Sequence, residues 1–279
     1  MNKILHESEN LILSKYYHIE QISPSFYTIY DPLGVYSYLI VGTQKALLFD
    51  TGHGIAPLHD VITSVCSLPY DVVLSHGHWD HCAGAYQFDK VWLHPADKDL
   101  CLRQFHKETR NKIASMYHEE ISKNAPDFDL EAYLNIDALK QPTLLALEHG
   151  QVFELGDISV EIIAMDGHTA GSIGILIREM KHLLTGDAAN KHTWMFLEDS
   201  LPVHIYIDML KRVSNLDFET MQMSHDKAIF PKSDIGKYLQ VAQHIDMEKA
   251  SPYDYNYETL GGYLFEEDGF GIVFNPNNL

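Results

Sequence analysis

Cysteine is scarce in this chain: Cys66, Cys82 and Cys101 form an odd set with no pair at CxxC spacing. That argues against a disulfide framework and against a cysteine-built zinc knuckle. Positive charge is scarce too, with 20 lysines and arginines against 39 acidic residues and a formal net charge of −19. Such a field repels nucleic-acid backbones. No local patch offsets it, because the densest basic stretch, Arg103 to Lys112, carries Glu108 in its middle. Nucleic acid is therefore not an expected partner. No apolar run approaches the roughly 18 residues that a membrane helix needs, so no membrane is expected either. The opening Met1-Asn2-Lys3-Ile4-Leu5-His6-Glu7 turns polar at once and does not read as a secretory signal. The expected location is the cytoplasm.

What the chain has in excess is histidine, 17 in 279 residues. Hydrophobic residues make up 46% and charged ones 21%, enough apolar surface for a sizeable core. The length fits one large α/β domain spanning 1–279.

Apolar runs at Tyr36 to Val41 and Ala46 to Phe49, joined by Gly42-Thr43-Gln44-Lys45, read as a hairpin that stops at Asp50-Thr51-Gly52-His53-Gly54. Pro57 to Leu68 has helical spacing and ends at Pro69. Asp71 to Ser75 is a short buried strand running into His76, and Lys90 to Leu93 is another, closed by His94-Pro95. From Asp97 to about Leu147 the texture is polar and helix-compatible, a helical insertion too short to bury a core of its own. Further strands are expected at Val152 to Leu155, Ile158 to Ala164, Ser172 to Ile177, His182 to Leu184 and Gly271 to Phe274. Val203 to Val213 and Ser233 to Ile245 look helical. Two strand-rich groups with accompanying helices point to a sandwich of two sheets with helices outside.

The most informative segment is His76-Gly77-His78-Trp79-Asp80-His81. His76 and His78 lie two apart just beyond a strand, where extended backbone sends alternate side chains to one face. Asp80 and His81 follow at the expected start of a helix. Imidazole and carboxylate are suitable ligands for zinc, iron or manganese. Three later turns add to the set. Gly167-His168-Thr169-Ala170-Gly171-Ser172 places a histidine between two strands, Thr185-Gly186-Asp187-Ala188 a carboxylate at a strand end, and Ser224-His225-Asp226 a last histidine.

In this order the motifs HxHxDH, GHTxGS, TGD and SH resemble the metallo-β-lactamase superfamily, from the Asp50-Thr51-Gly52 turn to His225. The resemblance implies an α/β fold, an αβ/βα sandwich of two mixed sheets with helices on the outside. It implies that His76, His78 and His168 hold one metal ion, that Asp80, His81 and His225 hold a second, and that Asp187 bridges them. Two divalent ions per chain follow, with zinc first and manganese or iron as alternatives. Asp50 matches a family position that supports the site from behind. The family often follows HxHxDH with a residue and two glycines; here the run is Cys82-Ala83-Gly84. Cys82 reads as a small buried apolar group, not a ligand.

A pair of cations sharing Asp187 would also share a hydroxide at neutral pH, able to attack a carbonyl centre, with Asp80 able to relay a proton to the leaving group. The expected protein is a metallo-hydrolase acting on an ester, lactone or thioester of a small acid. The alternatives are a mononuclear iron dioxygenase acting on a sulfur compound, a β-lactamase or phosphodiesterase of the same fold, or a non-catalytic binding module. The 97–147 insertion, with Phe105, Met116, Tyr117, Phe128 and Tyr133, is expected either to roof the pocket or to pack helices onto the sheet. Trp194 and Tyr206 are further pocket candidates. His53, His94 and His192 read as surface or loop residues and not as ligands, His192 close enough to Asp187 to line the pocket. The aromatic tail (Tyr253, Tyr255, Tyr257, Tyr263, Phe265, Phe270, Phe274) could cover a sheet edge or form a homo-oligomer contact.

Overall fold

The computed structural model describes residues 11–135, 141–254 and 261–279. The first part of the chain builds an eight-stranded sheet in sequence order. Its strands are β1 (Leu11–Leu13), β2 (His18–Ser23), β3 (Phe26–Tyr30), β4 (Tyr36–Val41), β5 (Ala46–Phe49), β6 (Tyr70–Val73), β7 (Lys90–Leu93) and β8 (Thr143–Ala146). The pairing is antiparallel up to β5 and parallel from there on. Between these strands lie α1 (Leu58–Val65), α2 (Trp79–Cys82), α3 (Lys98–Gln104), α4 (Lys107–Met116), α5 (His118–Asn124) and α6 (Leu130–Leu134).

The second part adds β9 (Val152–Glu154), β10 (Ser159–Ala164), β11 (Ile173–Ile177) and β12 (His182–Leu184). It sends β13 (His192–Met195) elsewhere and, after α7 (Val203–Ser214), returns with β14 (Thr220–Gln222) and β15 (Phe230–Pro231). The second sheet has the order β15-β14-β12-β11-β10-β9, with β12 and β14 parallel. After α8 (Ile235–Gln243), β16 (Ser251–Tyr253), β17 (Gly262–Glu267) and β18 (Phe270–Phe274) join β13 in a third, four-stranded sheet. The expected sandwich is present. The small third sheet is an addition that periodicity did not announce, because β13 pairs in parallel with β18 across a long stretch of chain.

Alternation along the strands explains the layering. Tyr38, Ile40, Leu47 and Phe49 point inward, onto Val160, Ile162, Ile173 and Ile175 of the facing sheet. Leu39 and Leu48 point the other way, onto Leu58 and Ile62 of α1. In α1 the buried positions Leu58, Val61 and Ile62 fall on one helical stripe, and in α7 Val203, Tyr206, Met209, Leu210 and Val213 do the same. The α7 stripe covers the outer face of the second sheet together with α8 and the third sheet. Phe265, Phe270 and Phe274 of the aromatic tail are buried there, whereas Tyr255 and Tyr257 lie outside the described residues.

The sandwich gathers its chemistry at one edge. Strands β5 and β6 run parallel, as do β12 and β14, so the turns after all four can meet there. Backbone bonds across the layers fix them: Ile173 N donates to Ser75 O at 2.8 Å, and Tyr36 N donates to Ser224 O at 2.8 Å. Gly84 shows how tight this edge is. It is the glycine kept from the family's usual pair, and a Cβ there would lie 2.2 Å from the Thr51 carbonyl oxygen.

Gly84→Ala should therefore lower the unfolding free energy by about 1–3 kcal/mol, read by urea denaturation. Gly236 in α8 faces open space, and Gly236→Ala should raise stability by about 0.5–1 kcal/mol. Equal stabilities for the two variants would refute the close-approach argument.

Candidate metal centre

All seven side chains expected at the site meet. His76, His78 and His168 form one group, and Asp80, His81, Asp187 and His225 form a second, with the ligating atoms of each group within 4.8 Å of one another. In the first group His78 Nδ1 lies 3.0 Å from His76 Nε2 and 2.9 Å from His168 Nε2. In the second, His225 Nε2 lies 3.3 Å from both Asp80 Oδ2 and Asp187 Oδ2, and His81 Nε2 lies 3.3 Å from Asp187 Oδ1. Asp187 Oδ2 is also 3.8 Å from His168 Nε2, so its carboxylate touches both groups.

The neighbours behind the rings set which nitrogen faces the centre. Ser75 Oγ donates to Asp50 Oδ2 at 2.8 Å, so its oxygen accepts from His76 Nδ1 at 2.9 Å. His81 Nδ1 donates to Asp50 Oδ2 at 2.9 Å, His168 Nδ1 to the Trp194 carbonyl at 2.7 Å, and His78 Nε2 to Asp199 Oδ2 at 2.7 Å. In each ring the nitrogen turned toward the centre is left to offer a lone pair. Three such lone pairs at about 3 Å repel one another unless a cation stands between them. His81 Nε2 and Asp187 Oδ1 are buried and have no hydrogen-bond partner. The donor set thus fits divalent cations.

The electrostatics of the metal-free groups agree. Burial pushes His76 well below its ordinary pKa, helped by the neighbouring rings, and lowers His168 to about 4. Burial opposes charge on Asp80 and Asp187 as well, yet the His81 and His225 rings outweigh it and hold both carboxyls well below the usual range. The same carboxylates raise His225 to about 10 against the cost of burial. Against burial, the Asp199 carboxylate raises His78. In the first group His76 and His168 are therefore neutral nitrogen donors, while in the second the carboxylates hold protons on their imidazoles in place of metal.

Sequence reasoning found the ligand-type residues and Asp50, whose φ of 66° puts a non-glycine residue in the left-handed region. It missed three supporting carboxylates. Asp97 accepts from Gly77 N at 2.8 Å and Thr169 Oγ1 at 2.7 Å through one oxygen, and from Gly171 N at 2.7 Å through the other. It thereby ties the HxHxDH turn to the GHTAGS turn. Its position just beyond β7, level with Asp50 after β5 and His76 after β6, was the available signal. Asp31 holds His53, with Nδ1 2.6 Å from Oδ2, so His53 is a buried loop residue and not a surface one. Asp199 precedes α7 with no motif around it. Cys82 is buried and donates to the Gly77 carbonyl, outside both donor groups.

Over the centre lies a cavity of about 750 Å³ whose lining includes His78, Asp80, His168, Asp187 and His225. Leu100, Arg103 and Gln104 of α3 and Thr109, Lys112, Ile113 and Met116 of α4 form part of its wall. Of the insertion's aromatics Tyr117 lines the cavity; Phe105 is buried behind it, and Phe128 and Tyr133 pack into a separate small cluster. Trp194 and His192 line it, whereas Tyr206 is buried on the inner face of α7.

The sequence model of the metallo-beta-lactamase superfamily matches residues 30–231, and the chain belongs to that superfamily. It is 30% identical over 162 residues to the human acyl-coenzyme A thioesterase MBLAC2, covering 54% of this chain and 56% of that protein. It is 27% identical over 218 residues to the atrochrysone carboxyl ACP thioesterase nsrC of Aspergillus novofumigatus, covering 71% and 56%. The chain thus spans little more than half the length of these curated relatives. A metallo-beta-lactamase from Erythrobacter litoralis shares the fold with a TM-score of 0.59 at 16% identity, over 84% of this chain and 100% of that one.

Two outcomes are expected of this centre. Asp199→Ala should weaken divalent-metal binding roughly tenfold to a hundredfold in competition with a chelator, because it frees the His78 ring; unchanged affinity would show that Asp199 supports nothing. Below the His225 pKa of about 10, an incoming cation must displace a proton. Apparent affinity should therefore climb with pH between roughly pH 6 and 8, with protons released on loading, as buffers of different ionisation heat would report in calorimetry.

Proposed function

We propose that the protein is a metal-dependent hydrolase with two adjoining cation sites, filled by zinc, that cleaves the thioester of a small carboxylic acid. The observation that carries this reading is the Asp187 carboxylate, which reaches both donor groups at the floor of a cavity of about 750 Å³. Nitrogen and carboxylate donors with no thiolate suit zinc, and also manganese or iron. His76, His78 and His168 would hold one ion, Asp80, His81 and His225 the other, with Asp187 between them. Ions held there would supply a hydroxide nucleophile at neutral pH and would stabilise negative charge on a carbonyl oxygen.

The chain's own residues do the rest. Asp80, lining the cavity, is placed to pass a proton to the leaving sulfur. The apolar surfaces of Trp79, Leu100, Ile113, Met116 and Tyr117 give an acyl group a wall to lie against and exclude water from it. In this reading α3 and α4 of the expected 97–147 insertion form a substrate wall on a single metallo-β-lactamase-fold domain, while the end of that stretch, Thr143–Ala146, is not helical but strand β8 of the first sheet. A thioester is preferred to an ester or lactone because the curated relatives named above are thioesterases acting on coenzyme A and carrier-protein conjugates. No helix among the described residues is long and apolar enough to cross a membrane. Three buried free thiols support a reducing compartment, the cytoplasm.

Protein purified without added metal should contain two zinc ions per chain and hydrolyse acyl thioesters faster than matched esters and lactones. Replacing His76 and Asp187 together by alanine should remove bound metal and reduce hydrolysis to background. One iron per chain with oxygen consumption on a thiol substrate would overturn the reading in favour of oxidation. Inertness of the metal-loaded protein on thioesters would overturn the choice of substrate.

A further inference from the structure

Of the chain's 20 lysines and arginines, Arg103, Lys112 and Lys191 stand in the wall of this cavity. The stretch from Arg103 to Lys112 reads in the sequence as self-neutralised by Glu108. Folding decides which of those charges line the cavity. In α4, Thr109, Lys112, Ile113 and Met116 follow the i, i+3, i+4, i+7 rule and share the face that lines the cavity, while Lys107 and Glu108 do not line it. Arg103 joins from the last turn of α3, and Lys191 arrives from the segment between Asp187 and β13.

The acidic groups of the wall do not cancel these cations one for one. Asp80 and Asp187 belong to the donor groups and Asp199 is bonded to His78, which leaves Glu198 and Asp226. Among the described residues neither the Arg103 guanidinium nor the Lys191 ammonium is paired with a carboxylate. The chain as a whole carries −19 and repels anions. At physiological salt that repulsion fades beyond about 8 Å, so an anion can be held only by direct contact with local cations. This cavity offers them beside an apolar wall and the proposed centre.

We propose that Arg103, Lys112 and Lys191 form an anion subsite that takes the phosphate of the thiol carrier in a thioester substrate, the phosphorylated pantetheine arm. This rests on the thioester reading above. The acyl group lies against the α3–α4 wall, the carbonyl sits over the donor groups, and the carrier leaves past the cationic side chains. Selectivity for the carrier, and not only for the acid, then resides in residues outside every metal motif.

The experiment is a ladder of octanoyl thioesters of N-acetylcysteamine, pantetheine, 4′-phosphopantetheine and coenzyme A, assayed with the metal-loaded protein. The expected result is a rise in kcat/KM at the first phosphate, carried by KM and weakened by salt. Each of Arg103→Ala, Lys112→Ala and Lys191→Ala should cut the phosphopantetheine-to-pantetheine ratio of kcat/KM by roughly two- to fivefold, as exposed ion pairs do, and the triple variant by about tenfold or more. A further rise at coenzyme A would show that its additional phosphates are also contacted. Equal kcat/KM along the whole ladder would overturn the subsite and leave the thioesterase reading standing. If no member is hydrolysed the thioesterase reading fails, and calorimetry with free coenzyme A decides the subsite. Binding lost in the triple variant, with metal content retained, supports it; absent binding, or binding indifferent to the three residues, overturns it.

Discussion

Seven side chains that carry lone pairs or negative charge are packed within a few ångströms at the edge of the sandwich, and four of them, His76, His81, His168 and Asp187, are buried. Three imidazole nitrogens face one another at 2.9–3.0 Å with their other nitrogens already used as donors. Two carboxylates beside them remain ionised despite burial. Such an arrangement is costly in isolation, since burying charge without a partner costs several kcal/mol per group. It becomes favourable when positive charge occupies the centre. The turns between the two sheets, the breaks in the strands and the tight glycine contacts all serve to bring these groups close enough to share it.

The repulsion is held in check by carboxylates outside the donor groups. Asp50 bonds Ser75 and His81 and so aligns rings from both groups. Asp97 joins the backbone of two motif turns that are far apart in sequence. Asp31 anchors the His53 loop, whose ring packs at 5.1 Å against Trp79 and at 5.4 Å against Tyr117. A carboxylate suits this work because it accepts several backbone N–H bonds at once and gains from each. The same acidic composition that argues against nucleic acid thus supplies the braces of the centre.

Much of this was legible in the sequence because it is local. The strands Tyr36–Val41, Ala46–Phe49, Lys90–Leu93 and His182–Leu184 fall where alternation and turn residues put them. The HxHxDH segment forms a strand-to-helix turn because α2 begins at Trp79. What escaped depends on chain segments far apart. The parallel pairing of β13 with β18 has no local signature, and neither does Asp199, whose role exists only because the segment before α7 returns to His78. The facing of the insertion's charges is likewise invisible in the sequence. Glu108 and Lys112 remain neighbours one turn apart in α4, yet only Lys112 lines the cavity, and which side of a helix faces a cavity is set by the fold around it.

These braces bear on whether the centre is formed before it is filled. Zinc fingers fold around their metal because little else orders their ligands. Here the turns are fixed by bonds that need no cation: Ile173 to Ser75 across the sheets, Leu201 to Gly167, and the three bracing aspartates. The sheets beneath are closed by a core of aliphatic side chains on both faces. Cation affinity is then spent on relieving repulsion among groups already in place, not on ordering the chain. Such preorganisation suits catalysis, because a charge held in a rigid, largely dry setting acts on a developing oxyanion without first rearranging its surroundings. It also separates the two tasks of the molecule. Stability belongs to the sandwich, and the proposed reactivity to one crowded edge that these cation-independent bonds hold together.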